Sequence, residues 1–484
     1  MQLISLDIKN YKIFKNRTFI FNDTKRDSNT CPIDSLYGKI NVSLLVGENG
    51  TGKTTLMSFI ANIFHNLERY HKRIQSEFSL KYLKVDKENK IVEVTIDKKN
   101  NIVYIEVTGI IERSRLLELH SQIKEDNQTC NAITYAQIEE YLPTNVITSA
   151  FSLHGEYPKV RPHNYLGDER VHVYDITDIY GENHYAMKSL STGIFRFLLL
   201  CQSKPQLIDK YFLQPLKLEF AGKTYVRFSS SNKDDKRGSL NLSDFMKWIK
   251  DRGDDLQDDN YYEKREELVK IFHESIQLGE AFNEDDSSID IVKYFNENQY
   301  HSILLELMIR YHEVYLNDLV FVKNGIEITL SNMSSGEKML LIRVLSILSS
   351  IENGSLVLIE EPELHLNPVW TKQFMSIISI LMRKYDSHFI IATHSHLIIN
   401  CLISQNVILL NQKEMCNPKF NTLLAQESEI VGKLFNESVC RNIVEDELAL
   451  LLSNGDKTSL EKIYENLGES YLRFQVFKAI YNRE

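Results

Sequence analysis

Val46-Gly47-Glu48-Asn49-Gly50-Thr51-Gly52-Lys53-Thr54-Thr55 has the form G-x-x-x-x-G-K-[ST], the phosphate-binding P-loop. The flanks supply the context the motif needs. Ile40 to Val46 (INVSLLV) is an apolar run suited to a buried strand, and Thr54 to Phe64 (TTLMSFIANIF) carries apolar residues at helical spacing. A strand, a glycine turn and a helix N-terminus together make an anion cradle. The backbone N–H groups of Asn49 to Thr54 can face phosphates there, helped by the positive end of the helix. Lys53 would reach the β/γ-phosphates, and the Thr54 hydroxyl would join a Mg²⁺ shell. Gly47, Gly50 and Gly52 permit turns and close approach that a Cβ would obstruct.

At 484 residues the chain can bury a large core and is expected to form two or more subdomains. Its hydrophobic and charged fractions, 43% and 25%, are those of a soluble globular protein. No uninterrupted apolar run is long enough to span a bilayer, so no membrane role is expected. The opening MQLISLDIKNYKIF alternates as a strand does, unlike a signal peptide. Six cysteines at 31, 130, 201, 401, 416 and 440 form no C-x-x-C pair and read as free thiols of a cytoplasmic protein. The net charge of −10 removes any global attraction for nucleic acid.

In chain order, residues 1–21 read as one or two strands and 22–37 as a polar loop. Residues 91–108 form a hairpin around Asp97 to Asn101. Helix is expected over 111–142, closed by Pro143, and a buried strand over Asn145 to Phe151. A helix is expected from His184 to Cys201, a hairpin-like segment from Leu216 to Phe228, a linker or exposed tip at 229–240, and helical patterns through 241–314. There is no sustained heptad, internal repeat or low-complexity tract.

Beyond residue 318 the pattern sharpens. Leu319 to Leu330 reads as a hairpin, Ser334-Ser335-Gly336-Glu337 opens a buried helix, and Ser355 to Glu363 (SLVLIEEPE) reads as a buried strand ending in paired acids. Helix capping alone would account for Ser334 and Glu337. Beside a P-loop, however, such a strand places Glu360 toward Mg²⁺ and Glu361 toward an attacking water, as base or orienting group. Phe389 to His396 (FIIATHSH) is a further apolar strand, placed to end beside the acids, where His394 could sense the γ-phosphate.

These four motifs, in this order, resemble the ABC-type ATPases of the SMC, RecF and OLD group. The resemblance is carried by residues 1–60 and 318–412 and extends to the middle only in outline. It implies an α/β fold: an ABC-type P-loop ATPase head with a mixed sheet and an antiparallel lobe, a mainly helical insertion and a helical C-terminal tail. The head would be split over 1–60 and 318–412, with 61–317 as antiparallel lobe and lid and 413–484 as tail. ATP and Mg²⁺ are the implied cofactors and Mg-dependent ATP hydrolysis the implied reaction. Gly47, Asn49, Gly50, Thr51, Gly52, Lys53, Thr54 and Thr55 would hold the nucleotide, Thr54 and Glu360 the metal, and Glu361 and His394 would be catalytic. Ser334, Ser335, Gly336 and Glu337 would form the signature motif, completing the site of a second copy in a head-to-tail dimer.

Two departures stand out. The family usually has Asp then Glu at the end of this strand, whereas here Glu360 takes the Asp position. Mg²⁺ tolerates distorted geometry poorly, so slow hydrolysis or a long-lived ATP state is expected. No Q-loop glutamine follows the Asn145 strand; Ser152 and His154 lie nearest, and neither is assigned that role.

The insertion is too short for long SMC arms. The acidic run Arg441 to Glu447 reads as a helix start capped by Asn442, because too little chain follows for a Toprim nuclease. The tail's apolar set, Ile463, Leu467, Leu472, Phe474, Val476, Phe477 and Ile480, would pack on the head or dock a partner. A stand-alone head with a short lid and no fused nuclease resembles the PtuA-type ATPases of Septu and retron-linked Septu antiphage systems. That resemblance implies an oligomer controlling a separate HNH nuclease, with DNA or retron nucleic acid as a further partner. The alternatives are a RecF- or SMC-like repair ATPase that clamps DNA directly and a nucleotide-locked scaffold with little turnover.

Overall fold

The structure, a computed structural model, describes residues 1–21, 37–118, 131–150, 157–158, 171–174, 184–228, 268–276, 281–283, 287–298, 300–311, 313–411, 415–434, 443–454, 456–468 and 470–481. They divide into two compact units, Met1–Leu424 and Ala425–Glu484. The tip expected at 229–240, Asn442, Ser152 and His154 lie outside the described residues.

The first sheet is β2-β1-β4-β5-β6-β7-β8. It joins β1 (Gln2–Tyr11), β2 (Phe14–Ile20), β4 (Phe78–Val85), β5 (Ile91–Lys99), β6 (Ile102–Val107), β7 (Ile111–Leu116) and the short β8 (Ala132–Ile133). Alternation in β4 buries Phe78, Leu80 and Tyr82 on one face, as a period of two requires. The β5–β6 turn places Asn100 and Asn101 at φ 49° and 62°, a conformation asparagine tolerates.

The second sheet runs β10-β9-β16-β17-β3-β18-β19. Its strands are β3 (Ile40–Val46), β9 (Val146–Ala150), β10 (Val171–Tyr174), β16 (Ser355–Glu360), β17 (Ser387–Thr393), β18 (Val407–Leu410) and β19 (Met415–Cys416). All pairs are parallel except the terminal β18–β19 hairpin, which makes the sheet mixed. Every residue of β9, β16 and β17 is buried, as interior strands of a parallel sheet covered on both faces are, and the polar Thr148, Ser149, Ser355, Glu360, Ser387, His388 and Thr393 are buried with the apolar residues. The P-loop helix Lys53–Asn66 lies in one hydrophobic core with both sheets. Tyr11 and Phe78 bracket Phe59 at ring-centroid distances of 4.5 and 5.9 Å.

The third sheet, β12-β13-β11-β14-β15, joins β11 (Glu219–Phe228), β12 (Phe282–Asn283), β13 (Ser288–Asp290), β14 (Val314–Lys323) and β15 (Ile326–Thr329). Helix His184–Ser203 packs on β14 and on helix Ser335–Ser350. At that crossing a Cβ on Gly193 would come within 2.2 Å of the Leu345 carbonyl oxygen, so only glycine fits. Arg196 donates to the carbonyls of Leu348 and Ile351 at 2.8 and 3.0 Å, closing the end of the Ser335–Ser350 helix.

Three expectations give way. The helix expected over 111–142 is instead the strand β7 at its start and a short helix, Tyr135–Ile138, near its end. Gly109, at φ 77°, turns the chain so that β7 pairs with β6 as a hairpin that extends the sheet, and that pairing overrides the helix-forming composition. The segment from Leu216 to Phe228 is no hairpin: Leu216 ends a short helix, and one long strand, β11, follows over Glu219–Phe228. Gly222, at φ 77°, bulges it between Phe220 and Thr224 without reversing it. The helical character expected to run to 314 is interrupted by β12 and β13 and ends before β14, leaving helices over 268–276, Ile291–Glu297 and His301–Arg310 among the described residues. The insertion also contributes β9 and β10 to the parallel sheet, β9 directly beside β16.

The second unit comprises helices Glu427–Leu434, Ile443–Asn454, Lys457–Asn466 and Tyr471–Tyr481. Leu448, Leu460 and Val476 form its core, with Ile463, Leu467, Leu472 and Ile480 packed around them. Phe474 and Phe477 remain exposed.

Candidate functional site

The P-loop follows β3 and opens helix Lys53–Asn66. Gly52 caps that helix at φ 96°, with no side chain bonding the first-turn amides. Those N–H groups are therefore left to a ligand. A Cβ on Gly52 would come within 2.5 Å of the Phe14 ring, and one on Gly47 within 2.4 Å of the Leu410 carbonyl oxygen. Gly50, at φ 80°, has open space around it. Asn49 and Gly50 are exposed, Thr51 is buried, and Thr54 and Thr55 are half-buried. Thr51 Oγ1 donates to the Glu48 carbonyl at 2.9 Å and braces the loop.

Lys53 is buried and folds back over the loop, donating from Nζ to the carbonyls of Gly47 at 2.8 Å and Glu48 at 3.1 Å. Burial pushes its pKa down, while the charges of Glu361, Glu363 and Glu360 pull it back up. Those acids belong to the end of β16. Register explains the convergence: Glu360 pairs with Ala392, and Ala392 with Leu45, so three parallel strands end at one level. Strands lie about 4.8 Å apart, which puts the acids within about 10 Å of the P-loop strand.

Glu360 is buried, and Tyr157 donates its hydroxyl to Glu360 Oε1 at 2.8 Å. Glu361 follows at φ 39°, a left-handed conformation that a glutamate adopts only under constraint, and its N–H donates to the Ala392 carbonyl at 2.8 Å. His394 directly follows β17, and its backbone N–H donates to Glu363 Oε1 at 2.7 Å. Burial and then the Lys53 charge lower the imidazole pKa, against the opposing pull of Glu361. The ring is thus neutral at neutral pH and can donate one hydrogen bond. Burial raises the Glu363 carboxyl, whose Oε2 is buried with no hydrogen-bond partner among the described residues. Arg343 reaches the same cluster from helix Ser335–Ser350. Burial pushes its guanidinium down to about 9, while Glu363, Glu360 and Glu361 hold it cationic at neutral pH.

The signature segment divides into an outer and an inner pair. Ser334 and Ser335 are exposed, whereas Gly336 and Glu337 are buried. Ser334 and Glu337 form a capping box: the Ser334 N–H and hydroxyl both donate to Glu337 Oε2, at 3.1 and 2.5 Å. Lys323 of β14 pairs with the other Glu337 oxygen. A Cβ on Gly336 would meet the His365 carbonyl oxygen at 2.6 Å, so this glycine lets the helix start rest against the loop that follows the acids.

The structure therefore brings Lys53, Glu360, Glu361 and His394 to the C-terminal ends of three adjacent central strands, with the signature serines at the surface. Tyr157, Arg343 and Glu363 join the site without having been marked as candidates. Arg343 had one signal, a lone charge inside the apolar run MLLIRVLSIL, and Glu363 its nearness to the acid pair. Tyr157 had none.

The residues fit a Mg-nucleotide. The loop offers amides and a lysine to phosphate, while the Thr54 hydroxyl and the Glu360 carboxylate are hard oxygen donors. Among the described residues no group of three or more His, Cys, Asp or Glu is placed to hold a metal. Mg²⁺ in nucleotide sites typically takes one or two carboxylates and completes its shell with phosphate oxygens and water. Among the described residues no helix is long and apolar enough to cross a membrane.

Residues 218–400, which carry the signature serines, the acids and His394, match the family described as an AAA domain, putative AbiEii toxin, type IV TA system. Fold and site together define a P-loop ATPase. Among particular proteins, the chain is 23% identical over 450 residues to the retron Vc95 probable ATPase of Vibrio cholerae serotype O1 biovar El Tor, covering 88% of this chain and 79% of that one. It is also 28% identical over 147 residues to the retron Ec83 probable ATPase of Escherichia coli, covering 28% and 26% of the two chains. Among solved structures, the Smc head domain of Pyrococcus furiosus bound to the C-terminal domain of ScpA aligns over 90% of this chain and 99% of that one, at 12% identity and a TM-score of 0.37.

Proposed function

We propose that this chain is the ATP-binding and ATP-hydrolysing subunit of an antiphage defence complex. Its heads pair head to tail around nucleotide and control a separate effector nuclease of the HNH type, as in Septu. The observation that carries the catalytic part is the convergence of Lys53, Glu360, Glu361 and His394 at the ends of adjacent parallel strands. The defence role is supported by the similarity to one retron probable ATPase along most of the chain and to a second over 147 residues.

In this reading the P-loop amides and Lys53 hold the β- and γ-phosphates, and Thr54 and Glu360 hold Mg²⁺. Bound there, Mg²⁺ offsets the charge of the phosphate oxygens. Glu361 accepts a proton from water as the water oxygen bonds to the γ-phosphorus. The bond from that phosphorus to the β–γ bridging oxygen breaks, and ADP and phosphate leave. Neutral His394 donates a hydrogen bond to the γ-phosphate. The exposed Ser334 and Ser335 contact the nucleotide held by the other copy, so one head alone is an incomplete enzyme.

The test is Glu361→Gln. The variant is expected to bind Mg-ATP, to lose at least about a hundredfold in phosphate release, and to double in mass with ATP. Normal hydrolysis would remove Glu361 from the role of base, and a monomer with ATP bound would remove the dimer. ATPase stimulated by DNA in the purified chain, with strongly salt-dependent binding, would favour a DNA-clamping ATPase instead.

A further inference from the structure

A tyrosine with no counterpart among the site motifs reaches the acid at the metal position. Strand β9 pairs in parallel with β16, Ala150 opposite Glu360, so the chain leaving β9 starts at the level of the acids. Seven residues on, Tyr157 is buried and returns its hydroxyl to Glu360 Oε1 at 2.8 Å. The two side chains meet across 203 residues of sequence, and only the strand order brings them together.

Glu360 occupies a position that must present one oxygen to a small cation demanding near-ideal octahedral geometry. A glutamate reaches further than an aspartate and has one more rotatable bond, so its carboxylate needs an external hold to stay in one pose. Hydrogen bonds from groups around a metal ligand orient it in this way, and losing one typically costs about 10- to 100-fold in metal affinity. The Tyr157 ring is packed in the core and its hydroxyl takes one carboxylate oxygen, which limits the rotation of the other.

We propose that Tyr157 is a positioning residue for the divalent cation: its hydroxyl fixes the carboxylate of Glu360, and so makes a glutamate serviceable at this position. The proposal rests on the reading that Glu360 holds the cation of a bound nucleotide. It goes beyond that reading by assigning Tyr157 a role in metal affinity and by linking Tyr157 to the choice of Glu over Asp.

The experiment is calorimetric titration of the full chain with a non-hydrolysable ATP analogue, without metal and over a series of Mg²⁺ concentrations. Wild type is expected to bind more tightly with Mg²⁺, and Lys53→Ala to bind in neither condition. If wild type shows no Mg²⁺ enhancement, or Lys53→Ala binds as wild type does, the parent reading fails before Tyr157 is examined. With that reading intact, Tyr157→Phe is expected to raise the Mg²⁺ concentration for half-maximal enhancement about tenfold, against a metal-free affinity within about twofold of wild type. In a Glu360→Asp background the same substitution should have no further effect, because the shorter carboxylate no longer meets the hydroxyl. An unchanged Mg²⁺ dependence, an equal loss with and without Mg²⁺, or the same shift in the Glu360→Asp background would each overturn the proposal.

Discussion

Glu360 and Glu361 are adjacent in sequence, yet the sheet assigns them different surroundings. Glu360 is the last residue of a buried strand and is held by Tyr157. Glu361 is half-buried in a left-handed turn beyond the strand, with Lys53 and His394 near enough to feel its charge. Such a division matches a metal ligand followed by a base, because a ligand must be rigid and a base must reach water. Glu360→Asp is expected to change the single-turnover rate of ATP cleavage by about tenfold or more, upward if the longer side chain is what slows the enzyme. Rapid-quench measurement of a single turnover checks it, and an unchanged rate would show that the extra methylene is fully accommodated.

At the scale of the element, helix Ser335–Ser350 joins two chemistries. Its N-terminus carries the exposed serines, and Arg343 two turns on faces the acids. The helix is anchored at its start by the Ser334–Glu337 capping box and the Lys323 pair, and at its end by Arg196. Burial alone would push Glu337 up, but hydrogen bonds from Lys323 and Ser334 outweigh it and hold the carboxyl below its ordinary value of 4.5. A carboxylate with a depressed folded pKa adds stability above its unfolded pKa, and that stability is lost as pH falls through the folded value. Lys323→Met is therefore expected to cost about 2 kcal/mol near neutral pH, the order of a charge-assisted hydrogen bond left unmade. The deficit should shrink as pH falls below the ordinary carboxyl value of 4.5 and Glu337 takes up its proton. Urea unfolding over a pH series from neutral into the acid range measures both, and a deficit that stays constant down the series would mean that Lys323 acts by packing alone.

At the scale of the whole molecule, the antiparallel sheet and the parallel sheet enclose the P-loop helix in a shared core, so the phosphate cradle is seated on both. The second unit holds its own small core, which accounts for most of the tail's apolar residues. The proposed head-to-tail pairing has a consequence that a single-chain site lacks. Lys53→Ala and Ser335→Arg should each abolish ATPase activity alone. Mixed together, the two variants form dimers in which one site keeps an intact lysine and an intact serine. Mixing is expected to restore activity to about a quarter of wild type, since half of randomly formed dimers are mixed and each carries one intact site of two. An ATPase assay on the mixture checks this. No recovery would argue that both residues serve the same chain's nucleotide.

Parts of this protein were legible without its fold. The strand–glycine–lysine–helix unit at 40–66 is local, because glycine φ values, helix capping and apolar periodicity act over a few residues. The Ser334–Glu337 box and the buried strand ending in Glu360 are legible for the same reason. Between 111 and 116 that reasoning failed, since helix-forming composition yielded to pairing with β6. Long-range choices lay beyond it altogether. The strand order that aligns Glu360, Ala392 and Leu45, the return of Tyr157 to Glu360, the approach of Arg343 and the pairing of Lys323 with Glu337 all join residues with no local relation. Sequence determined which chemistry the chain carries, because each motif is a short-range pattern. Only tertiary structure decided which groups share one site and which partner holds each acid, because hydrogen bonds and burial between distant segments exist only once the sheets have formed.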